Sequence, residues 1–259
     1  MICGNLFRLQ LAAAFADRRR VLLRISVSAL LALPFIFVGM PARARAAGIV
    51  MVVLFTGFFG AAVGHARLRE DRRLERLLLL PTSRPTLWLD LALASTVSRA
   101  APAVVVLTGF VAVNARNVTV GAVVALAGLL CATLVLLTLL GMGTAKLTRS
   151  NAEVHLFGAL TVGLLAVVSG VTPLPERLAP LTATTAWNPI GRLLSALVRL
   201  SSGSADVHAA EVVLTTLALA GIVATVSIRV FQGAADKTEG FDRAGAEVDN
   251  AGHMKEGQG

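Results

Sequence analysis

Few polar residues in this chain are spaced as a catalytic or metal site requires. The segment Gly141-Met-Gly-Thr-Ala-Lys146 partly matches a phosphate-binding P-loop, but Ala145 occupies the position where that loop needs glycine. Glu153 and His155 do not form the His-Glu-x-x-His pattern that binds zinc on a helix. The sequence therefore predicts no catalytic residue, no metal site and no cofactor bound by this chain, and no ATP hydrolysis by this chain alone.

The densest group of ionisable residues occupies segment 65–90, between two apolar runs. Within it, Leu74, Leu77 and Leu78 share one face of a short amphipathic helix, and charged residues cover the other faces. Pro81 is expected to end this helix. A plainer interpretation is a solvated charged loop that only fixes the orientation of the chain in a bilayer.

Arg99 is the one ionisable residue that the sequence places deep within an apolar run. Its side chain could contact an anionic substrate or lipid, or it could snorkel toward the membrane surface.

A separate run carries Gly57, Gly60 and Gly64 on one small-residue face, with the spacing G-x-x-x-G. That spacing favours close helix packing, either within one protomer or across a dimer.

The elements that must position these residues are apolar runs long enough to cross a bilayer. Hydrophobic residues make up 56% of the 259 residues, and the mean hydropathy is +0.76. A bilayer core about 30 Å thick requires about 20 apolar residues in an α-helix. The sequence predicts an all-α integral membrane protein with six transmembrane helices, at residues 22–40, 48–64, 91–113, 120–145, 153–171 and 210–231.

Three further segments complete the predicted layout. Residues 1–21 are expected to form a cytoplasmic amphipathic helix in the membrane interface, and residues 232–259 a disordered cytoplasmic tail. Between helices five and six the chain is divided by Pro173, Pro175, Pro180 and Pro189, which predicts re-entrant half-helices. Asn188 is a plausible N-cap, with Pro189 at the first helical position and Arg192 opposite an apolar face.

Basic residues predict the orientation. The net charge is +9, and most arginines cluster in the N-terminal segment and in segment 65–90. Because Lys and Arg accumulate on the cytoplasmic side, both termini and segment 65–90 are expected in the cytoplasm, and nucleic acid is not an expected partner. A cleavable signal peptide ending near Ala46 is a weaker alternative, since residues 22–40 exceed the usual apolar length.

Two stretches resemble ABC-2 type permeases, in particular their daunorubicin exporter-like drug-resistance branch. Asp71-Arg72, Leu74-Glu75-Arg76 and Leu80-Pro81-x-Ser83-Arg84 are similar to the segment that follows the second membrane helix of that family. Residues 172–181, followed by Asn188-Pro189 and by Arg192 or Arg199, are similar to its proline-rich re-entrant region. The chain departs from the family pattern at Arg72, where a glycine is usual.

This resemblance implies that residues 22–231 form the permease domain of an ABC exporter in the plasma membrane. The permease would pair with a second copy or a related permease, and it would dock on a separate ATPase subunit that holds ATP and Mg. The cargo would be amphipathic, either drug-like, as in antibiotic resistance, or lipid-like. The resemblance assigns coupling to the ATPase to the following residues: Asp71, Arg72, Arg73, Leu74, Glu75, Arg76, Leu77, Leu78, Pro81, Ser83 and Arg84.

A second function from a different class fits the same composition. A non-transporting membrane protein, such as an assembly or immunity factor, would have similar apolar runs but would need no ATPase. The presence or absence of an ATPase partner therefore discriminates between the two functions.

Overall fold

The computed structural model describes residues 3–79, 83–115, 118–148, 150–172 and 188–203, and every regular element in these ranges is helical. Helices suit a bilayer because each backbone N–H and C=O is hydrogen-bonded within its own segment. In chain order the helices are α1 (Cys3–Ala16), α2 (Arg18–Phe37), α3 (Ala42–Glu70, with a π-helical turn at Phe55–Phe59), α4 (Arg73–Leu78), α5 (Arg84–Asn114), α6 (Val120–Leu147), α7 (Asn151–Val168) and α8 (Pro189–Ser202).

Five of these helices, α2, α3, α5, α6 and α7, are long and apolar enough to cross a membrane. They confirm the prediction of a helical, multi-pass membrane protein. The predicted sixth span at 210–231, the tail at 232–259 and the prolines Pro81, Pro173 and Pro175 lie outside the described residues. Within the described part, α8 begins where the sequence predicts it, with Asn188 as N-cap and Pro189 in the first turn.

The helices extend beyond the apolar runs that reveal them. The second span was predicted at 48–64, but α3 begins at Ala42 and ends at Glu70. The third was predicted from residue 91, but α5 begins at Arg84 and continues through Pro102. A hydropathy profile falls where charged side chains begin, whereas a helix ends where its caps and backbone end it.

Side-chain caps set two of these boundaries. Asp17 separates α1 from α2, and its carboxylate accepts a hydrogen bond from the backbone N–H of Arg20 at 3.1 Å. Residues 18–21 therefore belong to the first spanning helix rather than to the interfacial helix predicted for residues 1–21. Thr119 caps α6 in the same way, accepting from the N–H of Ala122 at 3.2 Å.

Helix α3 lies at the centre of the bundle and contacts α2, α5, α6, α7 and α8. Its backbone approaches α6 closely at Gly141, where a Cβ atom would stand 2.6 Å from the carbonyl oxygen of Phe58. Phe58 belongs to the π-helical turn, and its side chain is fully buried. Contacts this close permit dispersion attraction without water, which is the main attraction available between helices in lipid.

Polar side chains join the helix ends opposite segment 65–90, which we call the Asn114 end. Asn114 is buried and donates hydrogen bonds to the carbonyl oxygens of Ile36 at 3.3 Å and Phe110 at 3.1 Å. Its own side-chain oxygen accepts a hydrogen bond from Arg45. One amide therefore links α2, α3 and α5 where the chain would otherwise leave carbonyl groups unpaired.

We predict that Gly141→Ala destabilises the bundle and that Gly143→Ala, two residues later on the same helix, does not. A Cβ at Gly141 would meet backbone atoms of α3, whereas none of the described atoms lies within 4 Å of a Cβ at Gly143. Gly141→Ala should lower the free energy of unfolding by about 1–3 kcal/mol. Gly143→Ala should leave it unchanged or raise it by up to about 1 kcal/mol.

Unfolding by a denaturing detergent in mixed micelles, followed by circular dichroism, measures both variants. Equal stability of the two variants would contradict the close α3–α6 approach.

Candidate functional site

Segment 65–90 and the helix ends packed beside it form what we call the charged end of the bundle. Helix α3 stops at Glu70, and α4 begins after a two-residue turn at Asp71 and Arg72. Arg72 has φ 53° and ψ 18°, a left-handed conformation that no other non-glycine residue adopts within the described ranges. This conformation costs an L-residue roughly 1–2 kcal/mol but suits glycine. The backbone of this turn therefore favours glycine at position 72, although the chain has arginine there.

The apolar face of α4 is packed against its own bundle. Leu74 and Leu77 are half-buried against a cluster that includes Leu87, Leu91 and Met142, from α5 and α6. Two of the three leucines that the resemblance assigns to coupling with an ATPase are therefore already in contact with the chain's own helices. The exposed surface of α4 and of the turn before it is charged and consists of Asp71, Arg72, Arg73, Glu75 and Arg76. The side chain of Leu79, which directly follows α4, is also 85% exposed.

An aromatic side chain connects three helices beneath α4. The ring of Trp88 on α5 lies 5.1 Å from the ring of His65 on α3, measured between centroids. The Nζ atom of Lys146 on α6 lies 5.9 Å from the same indole centroid, within the range of a cation–π contact. His65 follows the predicted second span at 48–64, but it lies inside α3 and is buried.

Arg69 closes the end of α6, a role that the sequence did not indicate. Its Nη1 atom donates hydrogen bonds to the carbonyl oxygens of Ala145 at 3.0 Å and Thr148 at 2.5 Å. Carbonyl groups at a helix C-terminus have no partners within the helix and carry partial negative charge, so a guanidinium there is doubly favourable. The charged ends of α3 and α6 are thereby held together.

The glycine-rich face of α3 meets two different neighbours. Gly57 lies against α6, where its Cβ would be 2.9 Å from the side chain of Leu137. Gly60 and Gly64 instead face the guanidinium of Arg99 on α5. A Cβ at Gly60 would overlap the Nη1 atom of Arg99, and a Cβ at Gly64 would stand 2.9 Å from Nη2. The two glycines therefore form a slot for a charged side chain.

The predicted residues of the re-entrant region do not join this site. Asn188 and Pro189 start α8 at the Asn114 end, where Asn188 accepts from the N–H of Ile190 at 3.0 Å and donates to Ser169 at 2.8 Å. Arg192 follows on the same helix. Ser83 precedes α5 at the charged end, beside Thr86. Among the described residues, no group of three His, Cys, Asp or Glu side chains is placed to hold a metal ion.

We predict that Arg72→Gly stabilises α4 and that Arg73→Gly, the matched control, destabilises it. Glycine removes the steric cost of the left-handed backbone at position 72, so α4 should gain about 1 kcal/mol. At position 73, in ordinary helical conformation, glycine should cost about 0.5–1 kcal/mol.

Hydrogen exchange of the α4 amides measures both effects locally. Faster exchange in both variants would contradict a left-handed backbone at residue 72.

Comparison with known proteins assigns no family to this chain. No protein-family model matches the sequence. No curated protein matches it either. The function proposed next therefore rests on the residues of the chain and on the resemblance carried by its motifs.

Proposed function

We propose that this chain is the transmembrane permease subunit of an ABC exporter, driven by a separate ATPase. The observation that supports the proposal most is the position of α4. It is a short helix whose charged side is exposed and whose apolar side is packed on the ends of α5 and α6. A helix so placed can receive force from a partner and pass it to the spanning helices.

The packing of α4 makes the transmission physically reasonable. Leu74 and Leu77 contact the cluster around Leu87 and Leu91, and the turn at Asp71 and Arg72 joins α4 to α3 with no slack chain. Interiors packed in this way are rigid, so a displacement of α4 would move the attached helices as bodies. In this proposal, ATP binding and hydrolysis in the partner ATPase supply the displacement.

The exposed surface of α4 suits a partner with complementary charges. It carries Arg73, Glu75 and Arg76, directly after Asp71 and Arg72, and these side chains would pair with charges around a groove on the ATPase. Because Leu74 and Leu77 are occupied internally, contact with the ATPase would be more polar than the sequence suggests. A second permease, either an identical copy or a related chain, completes the transporter in this proposal.

The apolar character of the spans supports an amphipathic cargo. Among the described residues, the helices that could cross the membrane bury few polar side chains: Ser28, Asn114, Thr133 and Thr138, with His65 and Asp90 at the charged end. A hydrated path for ions would require polar groups along its length. A drug-like or lipid-like molecule moving along apolar helix faces fits this composition better.

We place the chain in the plasma membrane with both termini in the cytoplasm. The arginines of α2, α3 and α4 at the charged end support this orientation by the positive-inside rule. Both termini share a side only if the chain crosses the membrane an even number of times, which requires the predicted sixth span at 210–231.

We predict that Glu75→Lys weakens capture of the partner ATPase several-fold or more, whereas Glu153→Lys does not. Both residues lie at the charged end, but Glu75 is exposed on α4 and Glu153 lies in the first turn of α7. Reversal of one rim charge typically weakens a charged interface several-fold or more.

The measurement is a detergent pull-down of the full chain co-expressed with the ABC ATPase encoded beside it, with monodispersity checked by size exclusion. If the well-folded wild type captures no ATPase, a non-transporting assembly or immunity role takes precedence.

We also predict that a fluorescent protein fused to the C-terminus fluoresces in intact cells, as such fusions do only in the cytoplasm. A periplasmic enzyme reporter at the same position should be inactive. The reverse pattern would place the C-terminus outside the cytoplasm and would refute a six-helix arrangement with both termini in the cytoplasm.

A further inference from the structure

A cavity of about 420 Å³ lies at the charged end, beneath α1 and between α2, α3 and α5. Its wall combines apolar side chains with five arginines and two aspartates, so the wall is strongly basic. Helix α1 is too short to cross a bilayer and packs beside α5. The cavity is therefore placed where an interfacial helix meets the spanning bundle.

Arg99 is held deep in this cavity without a counter-charge. Its Nε atom is buried and has no hydrogen-bond partner among the described residues. Gly60 and Gly64 leave space for its guanidinium against α3, because a Cβ atom at either position would crowd its Nη atoms. A guanidinium removed from water without an anion is costly, so a structure that makes room for one is poised to receive an anion.

The two aspartates of the cavity do not neutralise its positive charge. Both aspartates are already paired, Asp17 with Arg20 at 2.8 Å and Asp71 with Arg73 at 3.7 Å. Arg24 and Arg67 also line the cavity and have no ion pair in the described part of the chain. Arg24 and Arg99 line the same cavity, where their like charges repel each other. An anion between Arg24 and Arg99 would turn this repulsion into attraction.

We propose that this cavity binds the phosphate group of an anionic phospholipid, with Arg99 and Arg24 as its principal ligands. The planar guanidinium forms paired hydrogen bonds with phosphate oxygens, which makes arginine well suited to this group. The site does not depend on the exporter role and would serve equally in a non-transporting membrane protein.

The wall of the cavity favours a lipid over a free phosphate ester. Ala13 and Ala14 of α1, Val63 of α3, and Leu91 and Ala94 of α5 are among its apolar lining residues. They offer contact to a glycerol backbone and to the first acyl carbons, which a soluble phosphate ester lacks. Lipid headgroups also reach the interface between α1 and the bundle without crossing water.

The test compares lipid binding to the full chain purified in a neutral detergent, measured by native mass spectrometry. Wild type should bind phosphatidylglycerol about tenfold more tightly than phosphatidylcholine. Arg99→Gln and Arg24→Gln should each remove most of that preference, because each loses a charge-assisted hydrogen bond. Arg99→Lys should retain part of it, since the charge remains but the paired donors do not.

Arg76→Gln is the matched control. Arg76 is exposed at the same end of the bundle but does not line the cavity, so Arg76→Gln should leave the preference for phosphatidylglycerol over phosphatidylcholine unchanged. Arg24 is exposed, so Arg24→Gln keeps the test valid even if Arg99→Gln misfolds. An equal loss in Arg76→Gln would show diffuse attraction to surface charge, and a wild type without lipid preference would refute the site.

A soluble competitor distinguishes the two sources of phosphate. Glycerol 3-phosphate at millimolar concentration should not displace phosphatidylglycerol. Displacement at concentrations similar to those of the lipid would identify a soluble phosphate ester as the ligand and overturn the lipid assignment.

Discussion

Within a lipid bilayer, polar groups have no water to bond with, and this constraint governs the structure. Each spanning segment is helical because only a helix satisfies its own backbone. The helix ends remain, and the chain closes them with its own side chains. Asn114 and Arg45 do so at one end of the bundle, and Arg69 does so at the other. The same side chains join neighbouring helices, so the hydrogen bonds that satisfy the helix ends also stabilise the packing of the bundle.

The centre of the bundle depends on small residues rather than on polar ones. Gly141 brings the backbones of α3 and α6 into contact, and Gly57 admits a leucine of α6. Without a hydrophobic driving force between helices in lipid, such close approach is the main source of attraction. Gly60 and Gly64 depart from this use, because they accommodate Arg99 rather than another helix. The glycine-rich face of α3 therefore packs against α6 at Gly57 and accommodates the guanidinium of Arg99 at Gly60 and Gly64.

Apolar run length was enough to predict the helical membrane class and the five described spans, because bilayer thickness fixes the length of each span. Local rules also identified Asn188 and Pro189 as a helix start. Helix ends at Ala42, Glu70 and Arg84 were missed, since hydropathy does not register caps or turns. The hydrogen bonds of Arg69 could not be predicted from the sequence. Their acceptors, Ala145 and Thr148, lie 76 and 79 positions away along the chain, and no periodicity in one sequence relates such distant positions. The left-handed turn at Arg72 was hidden because arginine seldom adopts that backbone.

The π-helical turn at Phe55–Phe59 has a consequence for how this chain should be aligned with others. Such a turn amounts to one additional residue in an α-helix, and one residue corresponds to about 100° of rotation about the axis. A homologue with a regular α-helix here would have one residue fewer between Arg45 and Arg69 while presenting the same faces. An alignment that forbids a gap inside a membrane span would then mispair every position on one side of the turn. Placing a one-residue gap within Phe55–Phe59 would restore the correspondence of glycines and arginines that sequence searches need.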